Sequence, residues 1–125
     1  MVDDGSTDET PAVVAGLQEE APCALRYIRL EHSGRARVRN AGALAARAPI
    51  IIFLDSDMIV RREFIASHLD AHTRPGLVVI GSVLNTPVPA DPNEKAPQYN
   101  DYSRAFFATG NVSVQREKLI AAGLF

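Results

Sequence analysis

Several residue types are scarce in this 125-residue chain, and their scarcity limits the classes of protein it can belong to. Cys23 is the single cysteine, so no disulfide can form within the chain and no oxidising compartment is required. No apolar run reaches the roughly 18 to 20 residues of a membrane-spanning helix. The opening residues Met-Val-Asp-Asp-Gly are unlike a signal peptide. We therefore expect a cytoplasmic protein, which segments outside this sequence could hold at the inner face of the membrane.

An excess of charge of either sign is also missing. The chain has 13 Lys and Arg against 15 Asp and Glu, a net charge of −2 and an isoelectric point near 5.9. Such a balance gives no electrostatic reason to expect a nucleic-acid partner. The length suits one domain with a core of its own.

The segment Ile-Ile-Ile-Phe-Leu-Asp-Ser-Asp at 50–57 carries the most information. Five consecutive apolar residues predict a buried strand of the kind found in parallel α/β sheets, whose ligands bind beyond the carboxyl ends of the strands. Asp55 and Asp57 follow this strand directly. Two neighbouring carboxylates repel each other unless a positive charge compensates them, and a divalent cation does so most simply. They are the first candidates for a site.

Around this strand, helical and extended patterns alternate along the chain. The predicted helices are 10–20, 35–48, 62–73 and 117–122, and the other predicted strands are 25–30, 77–83 and 105–114, the last with a break at Gly110. The proline-rich segment 85–100 has no periodicity and predicts an irregular loop. This order predicts an α/β fold of three layers, α/β/α, with a mostly parallel sheet.

Two acidic turns follow strands in this arrangement, Asp3-Asp4 and Asp55-Ser56-Asp57. In a parallel sheet both turns lie at the same edge, so four carboxylates would converge on one crevice and form a metal or phosphate-metal site. Asp3 and Asp4 could also accept hydrogen bonds from a base or ribose. The alternative is that each acid caps the helix that follows it.

Two further groups of polar residues allow a functional and a structural interpretation. Arg35, Arg37 and Arg39 lie in the first turns of a predicted helix, where they form either an anion site or a solvated face. His68 and His72 have the i, i+4 spacing of some zinc helices, but neither the intervening glutamate nor a third ligand is present. A solvent-facing stripe is the favoured interpretation of the two histidines.

Four motifs of this chain occur together in one known family. They are Val-Asp-Asp-Gly-Ser-Thr-Asp at 2–8, Gly34 with Arg-Asn-Ala-Gly at 39–42 and Ala-Ala at 45–46, Phe-Leu-Asp-Ser-Asp at 53–57, and Thr-Gly-Asn-Val-Ser at 109–113. In order and spacing the chain resembles the family 2 glycosyltransferases, which have the GT-A fold and use nucleotide sugars.

The resemblance implies transfer of a sugar from a nucleotide-diphosphate sugar to an acceptor hydroxyl, usually with inversion. It also implies roles for individual residues, in which Asp57 coordinates Mg²⁺ or Mn²⁺ and Asp55 lies against both the metal and the ribose. The substrate-binding residues that it implies are Asp3, Asp4, Gly5, Ser6, Arg39, Asn40, Asp55, Gly110 and Asn111. Of these, Gly110 and Asn111 match the acceptor side.

The pattern of the family extends beyond this sequence at both ends. Family members have a strand and a nucleotide-binding turn before the Asp-Asp-Gly-Ser element, and their general base lies in a motif that follows the last residue here, Phe125. We therefore expect residues 1–125 to be the central portion of a single GT-A domain that lacks its first strand, with no general base and no turnover. The strand Ile50–Leu54 would then have an exposed edge, through which we expect self-association.

Other classes of protein share parts of this pattern. A non-catalytic fragment could bind a nucleotide sugar or another subunit without chemistry. A response-regulator receiver domain also has an aspartate after a buried strand, followed by methionine as in Met58, but it needs a lysine at a strand end. Lys95 lies in the predicted loop and Lys118 in a predicted helix. A haloacid-dehalogenase-like phosphatase fits less well, since Ile59 stands where threonine or valine is expected.

Overall fold

The computed structural model describes residues 1–84, 89, 91, 93 and 109–125. The chain divides into two compact units, the first made of Met1–Arg47 with Gly123–Phe125 and the second of Ala48–Ala122. Most of the predicted loop 85–100, and the start of the predicted strand 105–114, lie outside the described residues. That the chain is the central portion of one domain stays a prediction.

The first unit contains two helices and a pair of short parallel strands. Strand β1 (Val2–Asp3) pairs with β2 (Ile28–Arg29) in parallel, and the helices are α1 (Thr10–Glu20) and α2 (Arg35–Ala45). Helix α2 packs closely on β1, because a Cβ added at Gly42 would lie 3.3 Å from Val2 Cγ2. The buried apolar residues of this unit are Val14 of α1 and Ala43 of α2.

The helix bounds of the first unit follow from local sequence signals. Helix α1 has the predicted bounds, with Pro11 in its first turn and Pro22 just beyond its end. Helix α2 ends at Ala45, three residues before the end of its predicted range, because Ala46 is already extended, with φ −65° and ψ 144°. Pro49 lies shortly after, and residues before a proline avoid the helical region.

The second unit is built on a three-stranded sheet with the order β3-β5-β4. The strands are β3 (Ile50–Leu54), β4 (Val78–Ile80) and β5 (Asn111–Gln115), and both pairings are antiparallel. Helix α3 (Phe64–Ala71) precedes β4, and α4 (Arg116–Ala121) follows β5. The buried apolar residues here are Ile51, Phe53, Val112, Val114 and Leu119. None of the described helices of the chain is long and apolar enough to cross a membrane.

The α/β fold class is confirmed, and one described strand pair, β1 with β2, has the expected parallel direction. The sheet that contains Ile50–Leu54 is antiparallel, however, where a parallel one was expected. Residues Ile51 and Phe53 are buried and alternate with more exposed neighbours, whereas four consecutive residues of β5 are buried. The apolar run is therefore only half buried, which corrects the expectation of a strand buried on both faces. The direction of pairing depends on which distant segment of the chain lies beside it.

We predict that Gly81→Ala destabilises the protein. A Cβ at Gly81 would lie 2.3 Å from Nδ2 of Asn111, whose side chain is held by hydrogen bonds to His68 and to the Ser82 carbonyl. Overpacking of this kind costs about 1 to 3 kcal/mol in free energy of unfolding. Gly16→Ala is the control, because nothing lies within 4 Å of a Cβ there and Gly16 is inside α1. It should stabilise the protein by up to about 1 kcal/mol. Denaturant unfolding of both variants measures the two effects.

Candidate functional site

Asp3, the last residue of β1, is buried at 6% exposure, and both of its carboxylate oxygens accept hydrogen bonds from the protein. Oδ1 accepts from the backbone N–H of Ser6 at 3.0 Å and from the Ser6 hydroxyl, and Oδ2 accepts from the Tyr27 hydroxyl. Arg29 Nε lies 3.8 Å from Oδ2. The hydrogen bonds from Ser6 and Tyr27 lower the pKa of Asp3 below its ordinary value of 3.8. Asp3 therefore holds the turn between β1 and α1 against β2.

Asp4 connects the same turn to the start of α2. Its Oδ1 accepts from the backbone N–H of Ser33 at 2.7 Å and from the Ser33 hydroxyl at 3.0 Å, and Oδ2 accepts from the Gly34 N–H at 3.0 Å. The hydrogen bond from the Ser33 backbone is the main reason why the pKa of Asp4 is lowered. The Asp4 side chain remains 25% exposed. One face of this carboxylate is therefore still open to a ligand.

Gly5 follows the two aspartates at a position that favours glycine. Its φ is +84°, and a Cβ would lie 3.1 Å from the backbone nitrogen of His32 and 3.3 Å from the Leu30 carbonyl oxygen. Gly5 borders an open surface depression of about 430 Å³. The other residues that line it are Arg29, Leu30, Glu31 and His32. Gly5 thus lets the backbone of the turn approach that of residues 30–32 beside Asp4.

Arg39 and Asn40 lie in α2, with their side chains partly buried. The Asn40 amide pairs with the backbone of Phe125, donating to its carbonyl at 3.1 Å and accepting from its N–H at 3.0 Å. Asn40 thus holds residues 123–125, where Gly123 and Leu124 have positive φ of 97° and 68°, against α2. Arg35 and Arg37, the other basic residues of this helix, are exposed. Whether any of them meets a donor stays a prediction.

The second acidic turn begins directly after β3 in the second unit. The N–H of Asp55 donates to the Gly110 carbonyl at 3.3 Å, and the N–H of Met58 donates to the Asp55 carbonyl at 3.3 Å, which closes a turn over residues 55–58. A Cβ at Gly110 would lie 3.0 Å from Asp55 Oδ2. Asp55 and Asp57 are both exposed, and no hydrogen bond or ion pair of the Asp57 side chain is seen within the described residues. The turn therefore presents Asp57 to solvent and seats Asp55 against a glycine.

Asn111, the first residue of β5, lies beneath this turn in a cluster of buried polar side chains. His68, at 4% exposure, contacts Asn111 Oδ1 through Nε2 at 2.8 Å and the Ser113 hydroxyl through Nδ1 at 2.9 Å. His72 Nε2 reaches the same hydroxyl at 2.8 Å. The expectation of a solvent-facing stripe is therefore wrong for these histidines. His68 lies in α3 and His72 directly follows the helix, and both contact polar side chains of β5 instead of solvent.

Sequence reasoning missed several residues that organise these turns. Tyr27 and Ser33 hold Asp3 and Asp4, and His68 holds Asn111. Ser113 belongs to the Gly-Asn-Val-Ser motif, and this membership could have identified it as a residue that organises the site. The partners Tyr27 and Ser33 are 24 and 29 residues away from the aspartates in the chain, and no local pattern links them.

The residues of the second turn suit a hard divalent cation. Such ions prefer carboxylate oxygens, and Mg²⁺ is commonly held by one or two carboxylates together with the phosphates of a substrate. Asp55 and Asp57 supply two carboxylates, and glycine at 110 allows the Asp55 carboxylate to lie close to the backbone there. No group of three or more His, Cys, Asp or Glu side chains suited to a metal exists among residues 1–84, 89, 91, 93 and 109–125. The phosphates of a ligand would have to complete the coordination.

Comparison with known sequences decides between the families considered above. The pattern described as Glycosyl transferase family 2 matches residues 1–125. The chain belongs to this family. Membership favours the glycosyltransferase interpretation over the receiver-domain and phosphatase interpretations.

Individual relatives agree with the family. The chain is 37% identical to the uncharacterized glycosyltransferase YfnE of Bacillus subtilis (strain 168) over 65% of its own length and 21% of that protein's length. It is 32% identical to the validoxylamine A glucosyltransferase of Streptomyces hygroscopicus subsp. jinggangensis over 83% of its own length and 24% of that protein. It is also 34% identical to the minor teichoic acid biosynthesis protein GgaA of Bacillus subtilis (strain 168), over 46% of its own length and 13% of that protein's length. No solved structure matches significantly.

This glycosyltransferase chain thus spans less than a quarter of the length of these three relatives. The acidic turns of the two units carry the predicted donor and metal residues. Their convergence on one crevice stays a prediction, as do the individual roles of the site residues.

Removal of one hydrogen bond from Asp3 should change how stability depends on pH. A lowered pKa in the folded state stabilises the protein above the ordinary aspartate pKa of 3.8, and this stabilisation is lost as the pH falls through the folded-state pKa. Tyr27→Phe removes the donor to Oδ2 and should lower stability near neutral pH, with a smaller additional loss on acidification. Denaturant unfolding between pH 7 and pH 3 measures this. In an Asp3→Asn background, Tyr27→Phe should no longer alter the acid-side slope, and an unchanged effect there would contradict the assignment.

Proposed function

We propose that this chain forms the donor-binding part of a glycosyltransferase that moves a sugar from a nucleotide-diphosphate sugar to an acceptor hydroxyl, with inversion and with Mg²⁺ or Mn²⁺. The observation that carries the proposal is the turn after β3, where Asp57 is exposed without a described partner and Asp55 lies against Gly110. Family membership supports the reaction class. The activity, acceptor and sugar of the whole protein are part of the proposal, since its relatives are several times longer.

Asp55 and Asp57 would hold the metal, and they differ in how the chain supports them. The backbone of Asp55 is tied to Gly110 by its N–H, so its carboxylate starts from a fixed point at the end of a strand. Asp57 lies two residues further along, in a turn closed by the Met58 N–H. When bound, the metal would neutralise charge that develops on the leaving diphosphate. The protein contributes two carboxylates from a turn whose backbone is held by the Asp55 and Met58 N–H groups.

The turn after β1 would contact the nucleoside. Asp4 keeps an exposed face that can accept a hydrogen bond from a base or ribose, and Gly5 offers a backbone surface beside it. A direct contact to Asp3 would require Ser6 or Tyr27 to give up a hydrogen bond, because both carboxylate oxygens are already engaged. Asp3 and Ser6 therefore serve donor binding through the shape of the turn that presents Asp4 and Gly5.

We predict that Asp57→Ala removes metal-dependent nucleotide binding. Titration calorimetry with UDP, GDP and TDP, with and without Mn²⁺, should show one nucleotide whose affinity rises with the metal in the wild-type chain and does not rise in the variant. The physical reason is the loss of one of two carboxylate ligands. Asp70→Ala is the matched control, because Asp70 is an exposed aspartate of α3 in the same unit.

The outcomes separate the alternatives for this chain. Mn²⁺-dependent binding that survives in Asp57→Ala would contradict the assignment of the metal ligand, and its loss in Asp70→Ala as well would show that the effect is not specific to Asp57. Nucleotide binding without any effect of Mn²⁺ would favour a metal-independent binding module. We expect these 125 residues to bind the donor without turnover, since no residue among them is assigned as the general base. Release of free sugar or transfer to an added acceptor would overturn that expectation.

We also propose that the chain self-associates through β3. In the described sheet β3 lies at one edge with β5 as its neighbour, and the backbone groups on the other side of such an edge can pair with a further strand. Leu54→Lys should then reduce association measured by sedimentation velocity over a range of concentrations. Val78→Lys on β4, the strand at the other edge, is the control, with 45% exposure against 44% for Leu54. Equal association in both variants and the wild type would rule out the β3 edge.

A further inference from the structure

In the buried polar cluster beneath the second acidic turn, the donor and the acceptor of each hydrogen bond can be identified. It consists of His72, Ser113, His68, Asn111 and the backbone carbonyl of Ser82, joined by contacts of 2.8, 2.9, 2.8 and 3.2 Å in that order. Ser113 is fully buried, and Asn111 and His68 are 7% and 4% exposed. Buried polar groups of this kind need hydrogen-bond partners, so the protons in the cluster can be assigned from the inventory of donors and acceptors.

The carbonyl of Ser82 starts the assignment, because a carbonyl can only accept. The Asn111 group that faces it must therefore be the NH₂, which turns the amide oxygen toward His68. An amide oxygen can also only accept. Hence Nε2 of His68 carries a proton and donates it to Asn111. In the neutral ring Nδ1 is then the acceptor and takes the hydroxyl proton of Ser113.

The assignment at Ser113 also fixes the donor in its contact with His72. With its proton given to His68, the hydroxyl can accept from His72, so Nε2 of His72 carries the proton and Nδ1 of the neutral ring does not. Nδ1 of His72 is buried and has no hydrogen-bond partner among the described residues. An acceptor left without a partner is tolerated more readily than a buried N–H. One arrangement of protons therefore accounts for all four contacts of the cluster, and it uses both histidines as Nε2–H tautomers.

This cluster holds the start of β5, which lies beside the end of β3 and the second acidic turn. Asn111 is the β5 partner of Leu54, and Gly110, one residue earlier, accepts the N–H of Asp55 at 3.3 Å and lies against its carboxylate. Rotation of the Asn111 amide would break the contact to Ser82 or the one to His68. Its side chain would also press on Gly81, which approaches it so closely that no Cβ fits. The side chain of Asn111 thus has one permitted position, and His68 selects it.

We infer that His68 is a positioning residue for donor binding: by donating from Nε2 to Asn111 it fixes the start of β5 and, through Gly110, the position of the Asp55 carboxylate. The metal-binding part of this inference rests on the proposed function. All the residues in this argument, from His68 to Asp55, lie in the second unit. It gives His68 of α3 a role in the site without making it a metal ligand.

A pair of amide substitutions isolates the contact. The nitrogen of Gln at position 68 can take the place of Nε2, whereas the amide of Asn at 68 reaches only as far as Nδ1. We expect His68→Asn to weaken Mn²⁺-dependent binding of the nucleoside diphosphate by about fivefold, the factor for one neutral hydrogen bond, and His68→Gln to restore most of it. The affinity for the same nucleotide without Mn²⁺ should not change in either variant. Calorimetry with UDP, GDP and TDP on the full chain measures both quantities.

Nuclear magnetic resonance supplies a readout that does not depend on ligand binding. The ¹⁵N shifts of the imidazoles should identify Nε2–H tautomers for His68 and His72, and the amide signals of Gly110 and Asp55 should move in His68→Asn and return in His68→Gln. An Nδ1–H tautomer at His68, or unmoved Gly110 and Asp55 signals, would overturn the inference. So would equal losses of binding with and without Mn²⁺, which indicate general destabilisation. If the wild-type chain shows no Mn²⁺-dependent binding, the proposed function fails, while the resonance shifts still decide whether His68 positions Asp55.

Discussion

The antiparallel ladder between β3 and β5 is the interaction on which the rest of the second unit depends. It pairs five residues on each strand, from Ile50 with Gln115 to Leu54 with Asn111. Burial of Ile51, Phe53, Val112 and Val114 along this ladder supplies the apolar area that stabilises it. Because the ladder ends at Leu54 and Asn111, the next residue on one strand is Asp55 and the preceding residue on the other is Gly110. A carboxylate and a glycine are thereby placed side by side.

The two acidic turns illustrate opposite uses of the same side chain. After β1, the carboxylates of Asp3 and Asp4 accept hydrogen bonds from Ser6, Tyr27, Ser33 and Gly34, and these contacts lower both pKa values. After β3, Asp57 extends into solvent with no described partner. A carboxylate that is satisfied by the protein shapes a loop, and one that is exposed at a strand end can bind an ion. Both turns carry two aspartates, and the hydrogen bonds around each aspartate decide which role it can take.

Much of the architecture could be predicted because it rests on local signals. Helix α1 begins and ends where its prolines require, and the apolar run Ile50–Leu54 forms the predicted strand, although only Ile51 and Phe53 are buried in it. The direction of its pairing was not predictable in the same way. Its partner β5 begins 57 positions after the end of β3, since residues 111 and 54 are that far apart in the chain. The choice between parallel and antiparallel neighbours is made by such distant contacts.

The sequence by itself determined the family, because the residue types, order and spacing of four short motifs were enough for the resemblance. Carboxylates after strands, glycines where backbones approach and an Asn in the last motif can all be read without coordinates. Only the tertiary structure decided which of these side chains are already engaged. The contact of His68 with Asn111 and that of Tyr27 with Asp3 each join residues more than twenty positions apart. Hydrogen bonding depends on distance in space, and no periodicity of the chain records it.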